Sequence, residues 1–192
     1  MTQRILVLSD CHEHTRVLKQ SLCGGNFDID SKATSSDELR KLAAKRPADI
    51  IVVIKKRYSI KTMEIIRQIM REHPVPVVIF TQEGNEESAS TATQAGVSAY
   101  VIDGLREDRI KPILTAAVMR FKETQKLKQK LNKAQTDLKE RKLIERAKGL
   151  LMKQRSCSED DAYTALRSLA MKQHKRLSEI AEGVINTSSL MA

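Results

Sequence analysis

Between residues 4 and 103 the sequence repeats one pattern: a short apolar run, a turn, then a segment with apolar residues at helical spacing. No other feature restricts the fold as much. The runs are Arg4–Ser9 (RILVLS), residues 27–32, Asp49–Ile54 (DIIVVI), Val77–Phe80 and Ser98–Ile102. RILVLS and DIIVVI are apolar almost throughout, as strands buried on both faces are. Residues 27–32 are more polar, as at a sheet edge. The intervening segments carry Val17, Leu18 and Leu22 on one side, then Ser35-x-x-Glu38, a capping-box pattern opening a helix through Ala44. A third repeats Ile60, Met63, Ile66, Ile69 and Met70, and a fourth, Glu86–Ala95, is polar. Gly24-Gly25 and Pro47 close two of them. Five strands alternating with helices predict an α/β fold: a five-stranded, parallel, doubly wound sheet with right-handed crossovers.

Function in such a sheet lies at the carboxyl ends of the strands. Here those ends are Ser9/Asp10/Cys11, Ile54/Lys55, Thr81/Gln82 and Asp103/Gly104. Ser9-Asp10-Cys11-His12 stands where a Gly-rich phosphate loop would follow the first strand, which argues against nucleotide binding. Asp10-Cys11-His12-Glu13-His14 carries metal-capable side chains, but no distant Cys/His cluster completes a ligand set. It reads as a polar loop and a first helical turn.

With these residues in place, 4–103 resembles the receiver domain of bacterial two-component response regulators, a flavodoxin-like fold. In that family an acidic pair after strand one holds Mg²⁺. An Asp ends strand three and accepts phosphate, a Thr or Ser ends strand four, and a Lys with a following cis-Pro ends strand five. The resemblance puts the acidic pair on Ser9 and Asp10, the acceptor on Ile54, the hydroxyl on Thr81 and the Lys-Pro pair on Asp103 and Gly104. One carboxylate of the pair is missing, which weakens a Mg²⁺ site that needs several oxygen ligands. Ile54 has no nucleophilic oxygen, and Asp103 puts negative charge where the family uses a cation. The resemblance therefore implies a pseudo-receiver that aspartyl phosphorylation does not regulate.

The second half differs in charge. The chain has 192 residues and a formal net charge of +10. Residues 1–103 hold 14 Lys+Arg against 13 Asp+Glu, whereas 104–192 hold 20 against 11. The densest stretch, 120–148, has 11 basic and 4 acidic residues. Such asymmetry points to an anionic partner at one end of the chain, or to the solvated face of a coiled coil. The 41% hydrophobic content excludes a wholly disordered chain. No apolar run approaches the roughly 20 residues of a membrane span, and MTQRILVLSD has no signal-peptide pattern. Cys11, Cys23 and Cys157 are odd in number and unpatterned, which fits free thiols in a reducing cytoplasm.

From Glu107 to Gly149 the sequence predicts one long helix, with Pro112 tolerated in its first turn. Its apolar residues are Ile113, Leu114, Ala117, Val118, Phe121, Leu127, Leu131, Ala134 and Leu138, the last four at heptad-like spacing of 4, 3 and 4. The stripe needs a partner: a second copy in a coiled coil, or the N-terminal domain. A polar break is expected at Lys153–Cys157. A helix then follows Ser158, with Glu159, Asp160 and Asp161 in its first turn and Ala162, Tyr163, Leu166, Leu169 and Ala170 on its apolar face. Lys172–Arg176 is a basic junction, and Leu177, Ile180, Ala181, Val184 and Ile185 mark a last helix. The domains expected are 1–106 (receiver-like), 107–140 (helical coiled-coil linker) and 141–192 (a small all-α, three-helix unit).

The run Ile144-Glu-Arg-Ala147-Lys148-Gly149-Leu-Leu-Met152, followed at fixed spacing by Ala162-Tyr163, Leu166-Arg167, Ala170-Met171, Leu177 and Ala181, closely resembles the ANTAR domain of the AmiR and NasT antitermination regulators. Ala95–Tyr100 also looks like the NasT group. The resemblance implies a non-enzymatic RNA-binding protein. It would stabilise paired hairpins in a leader transcript, keep a terminator from forming and answer to a ligand-sensing inhibitory partner, with nitrate or nitrite as the inducer ahead of an amide. A homodimer through the linker, no cofactor and no membrane are expected. The candidate RNA contacts are Arg141, Lys142, Arg146, Lys148, Lys153, Arg167, Lys172, Lys175 and Arg176, with Arg167 and Lys148 foremost because they lie inside the motif. Ala147, Ala162, Ala170 and Ala181 are expected as helix contacts, and Tyr163 as core before base-stacking. The rival reading is a DNA-binding response regulator acting at a promoter, since receiver domains often precede helix-turn-helix units.

Overall fold

The computed structural model describes residues 2–102 and 104–190. It divides into two compact units, Met1–Gln125 and Lys126–Ala192.

In the first unit, five parallel strands form one sheet: β1 (Gln3–Ser9), β2 (Phe27–Ala33), β3 (Ile50–Lys55), β4 (Val77–Thr81) and β5 (Ala99–Val101), in the order β2-β1-β3-β4-β5. The helices between them are α1 (His12–Leu22), α2 (Ser36–Lys45), α3 (Ile60–Glu72) and α4 (Glu86–Gln94). The continuous apolar runs are explained by the two cores. Leu6, Leu8, Ile51, Val53 and Ile79 face Leu39, Ile66 and Ile69, while Ile5, Val7, Val52, Ile54 and Phe80 face Leu18, Ile110 and Leu114. Successive strand residues point to opposite faces, so a strand covered on both sides needs an apolar residue at every position. Polar β2 is indeed an edge strand.

Local chemistry sets the helix starts. Ser35 Oγ accepts from the Glu38 N–H at 3.2 Å. The reciprocal arm goes one residue further back, the Glu38 carboxylate accepting from the Thr34 N–H at 2.8 Å and its hydroxyl at 2.9 Å. Ser59 and Asn85 cap α3 and α4 in the same way. Ile60, expected on the buried side of α3, is 81% exposed; as the first helical residue it precedes the part of α3 that packs on the sheet.

The long helix α5 runs Glu107–Arg155. Its first turns belong to the sheet's second core, with Ile110, Leu114, Ala117 and Val118 buried. Pro112 is its sixth residue, beyond the first turn expected for it, so the helix lacks one N–H donor there. The expected break at Lys153–Cys157 falls later. Lys153, Gln154 and Arg155 are good helix formers and continue α5, which stops where Ser156 adopts φ 49°.

The second unit adds α6 (Glu159–Gln173) and α7 (Leu177–Leu190) to the end of α5. Ser158 and Asp161 form a full capping box on α6, whose far end closes at His174 with φ 53°.

Candidate nucleic-acid interface

The three-helix unit is held by Ala147, Leu151, Ala162, Leu166, Ala170, Ile180, Ala181 and Ile185, all buried together. The four alanines in this set lie at helix contacts, where a small side chain lets backbones approach. Tyr163 is 42% exposed and so is not the core residue expected of it; Leu169 is 39% and Met152 36% exposed. At about 100° per residue, Ala162, Leu166 and Ala170 define the buried stripe of α6, and positions 163 and 169 sit at its two margins, about 60° off centre.

Arg141, Lys142, Arg146, Lys153, Arg167, Lys172, Lys175 and Arg176 are all exposed. Lys172 closes the last turn of α6, where a cation complements the helix dipole. Arg176 caps α7, its N–H donating to Glu179 at 3.0 Å, and its guanidinium lies 3.9 Å from the Glu140 carboxylate. Arg155, absent from the expected set, is also exposed in the last turn of α5.

Lys148 is different. Its side chain is 10% exposed, and its ammonium lies 2.8 Å from Glu145 and 2.6 Å from Glu159. Hydrogen bonds to Glu145 first and Glu159 second hold the Lys148 ammonium above its ordinary pKa. The Lys148 ammonium in turn holds the Glu159 carboxyl below the usual value. Lys148 thus ties α5 to the first turn of α6. Glu145, three residues earlier, was the signal available in the sequence; the Glu159 contact needs the fold.

At the carboxyl edge of the sheet, Ser9 pairs with Ile54 across β1 and β3, and Lys55 pairs with Thr81 across β3 and β4. Ser9 is buried and closes a local turn, its Oγ donating to the Cys11 carbonyl at 3.1 Å and accepting from the Cys11 N–H at 3.2 Å. Ile54 is in the core. The buried Thr81 hydroxyl is directed at the carbonyls of Lys56 and Glu83, each 2.8 Å away. The Lys55 ammonium lies 3.7 Å from the Asp10 carboxylate. Asp103 lies outside the described residues, and Gly104 follows at φ 76°. Among the described residues, no three His, Cys, Asp or Glu side chains are grouped to hold a metal ion.

Beneath the β4–α4 loop, Tyr58 and Tyr100 meet edge to face at 5.8 Å. Tyr58 donates its hydroxyl to the Ser88 carbonyl at 2.7 Å. The Tyr100 hydroxyl is buried without a hydrogen-bond partner among the described residues. Burial first, and the Tyr58 hydroxyl second, push its pKa up to about 12.

The first unit has the receiver fold. It matches, among others, a CheY-like response regulator receiver domain protein from Methanospirillum hungatei, with TM-score 0.55 and 18% identity, covering 64% of this chain and 99% of that one. Residues 132–185 match the ANTAR domain. The chain thus joins a receiver-like domain to an ANTAR domain, and its relatives carry regulatory names. It is 26% identical over 185 residues to the transcriptional regulatory protein PdtaR of Mycobacterium tuberculosis, covering 96% of this chain and 90% of the relative. A nitrate regulatory protein of Klebsiella oxytoca is 36% identical over 80 residues, 42% of this chain and 20% of that protein. No described helix is long and apolar enough to cross a membrane.

Proposed function

We propose that the chain is an RNA-binding antitermination regulator, in which the three-helix unit grips hairpins of a leader transcript and keeps a terminator from forming. The observation that carries this reading is the coincidence of the ANTAR match, residues 132–185, with a half of the chain that holds 20 Lys+Arg against 11 Asp+Glu. The exposed cations are Arg141, Lys142, Arg146, Lys153, Arg167, Lys172, Lys175 and Arg176. Sequence-selective RNA binding targets unpaired loop bases, with cations holding the flanking backbone. Among these residues Arg167 leads, since a guanidinium can both pair with phosphate and stack on a base.

The receiver-like domain acts without aspartyl phosphorylation. Ile54 supplies no acceptor, and Lys55 already answers the charge of Asp10. Control passes instead to a ligand-sensing partner protein in the cytoplasm, with nitrate or nitrite as the signal; the similarity to a nitrate regulatory protein supports that choice. Two copies join through Leu127, Leu131 and Leu138 on α5, which are 55–60% exposed in the single chain. In this reading 1–106 receives, with the first turns of α5 completing its core, the rest of α5 up to residue 140 joins two copies, and 141–192 binds RNA.

A gel shift with leader RNA against promoter DNA tests the reading. The RNA should bind and the DNA should not, and Arg167→Ala should weaken RNA binding by about 1–3 kcal/mol. Preference for the promoter would establish the DNA-binding alternative instead.

A further inference from the structure

The second unit carries a hollow that none of the assigned roles uses. It lies between the end of α5 and the margins of the packed faces of α6 and α7, with a volume of about 360 Å³, and is continued by a smaller one of about 250 Å³. Leu151, Leu169 and Val184 line both. Leu169 is the half-exposed residue at the margin of the α6 stripe. Around this apolar floor stand three cations, Arg155, Lys172 and Lys175, against one carboxylate, Glu179.

Resting on the RNA reading above, we propose that this groove is a base pocket: one unpaired nucleobase of the bound RNA lies on Leu169 and Val184, while Arg155, Lys172 and Lys175 hold the phosphates on either side. The size fits. Small-ligand sites run from roughly 300 to 1,000 Å³, so the groove takes one flat ring system rather than a protein helix. The charge fits as well, because an apolar floor inside a cationic rim matches a base and its backbone. A second copy of this chain would bring the same basic rim against itself, where like charges repel. The amide of Gln173 also lines the groove and can read the edge of a base, while that of Gln154 donates to the Ser188 hydroxyl at 3.1 Å.

Gly183 provides a clean test. It lines the groove from α7, and a Cβ built there meets nothing within 4 Å. Gly183→Leu therefore fills the groove while improving helix propensity, and the thermal midpoint should be unchanged or raised. The probe is a fluorescein-labelled RNA carrying the hairpin pair of the transcript that co-purifies with the wild-type chain, made intact and with each unpaired base in turn replaced by an abasic ribose. Gly183→Leu should weaken binding of intact RNA at least about fivefold, because its side chain takes the place of the base on the apolar floor and roughly 1 kcal/mol or more of buried contact is lost. One abasic position should cost the wild type as much, and variant and abasic RNA together should cost no more than either alone. Wild-type affinity for Gly183→Leu, or penalties that multiply at every abasic position, would overturn the pocket while leaving RNA binding standing. A Gly183→Leu chain that binds RNA normally but sediments differently would make the groove a self-association face and overturn it too. A wild-type chain that retains no RNA and prefers promoter DNA would overturn the RNA reading itself.

Discussion

At the residue scale, Lys148 separates packing from recognition. It sits in the same helical unit as Arg167 and Lys172, but its ammonium is held by Glu145 and Glu159. Lys148→Met should lower the thermal midpoint of the second unit, whereas Arg167→Ala should leave it unchanged and act only on RNA affinity. The pH dependence has a defined sign. The lowered pKa of Glu159 contributes stability above its ordinary 4.5, lost as pH falls through the folded value. The raised pKa of Lys148 contributes below 10.5, lost as pH climbs through the folded value. Lys148→Met should therefore flatten the acid limb of a melting-temperature profile, with no effect of the pair's titration near neutrality. The role of Lys148 was not legible in the sequence, because motif membership identifies a position without saying which way it points. Arg167 and Tyr163 stand in the same motif and are exposed. Tyr100 gives a second residue-scale outcome. A methyl on Gly84 would come within 2.5 Å of the Tyr100 hydroxyl, at the end of a rigid ring. Gly84→Ala should destabilise the chain, and Tyr100→Phe should be neutral or stabilising because it removes an unpaired buried hydroxyl. Combining them should recover much of the Gly84→Ala loss in a denaturant titration.

At the element scale, the strands were legible because a sheet covered on both faces demands unbroken apolar runs, and DIIVVI admits few other environments. Element ends were less so. The break after α5 was misplaced by three residues at its start because Lys153, Gln154 and Arg155 favour helix, and the stop depends on Ser156 adopting a left-handed conformation that its side chain does not announce. α5 also shows how one helix serves two purposes. Leu114 is fully buried against the sheet, and Leu114→Ala should cost about 2–5 kcal/mol of stability in the first unit. Leu131, further along the same helix, is 57% exposed. Leu131→Glu should leave that stability unchanged and shift sedimentation from dimer to monomer. A variant that sediments like the wild type would remove the coiled coil from the account.

At the scale of the whole molecule, charge and fold divide together. The near-neutral half forms the sheet, whose carboxyl edge has Ile54 in the core and the Thr81 hydroxyl committed to backbone carbonyls. Incubation with acetyl phosphate and Mg²⁺ should add no mass to the chain; a gain of one phosphoryl in this domain would restore a conventional receiver. The basic half should bind RNA with a steep salt dependence, since each phosphate contact releases condensed counterions. The most direct measurement of the central claim is terminator read-through in single-round transcription, on a template bearing the leader of the co-purifying transcript. Added chain should raise read-through, and Arg167→Ala should abolish most of that rise while keeping its fold. Read-through that stays at the protein-free level, with the wild-type chain folded and in excess, would contradict the account.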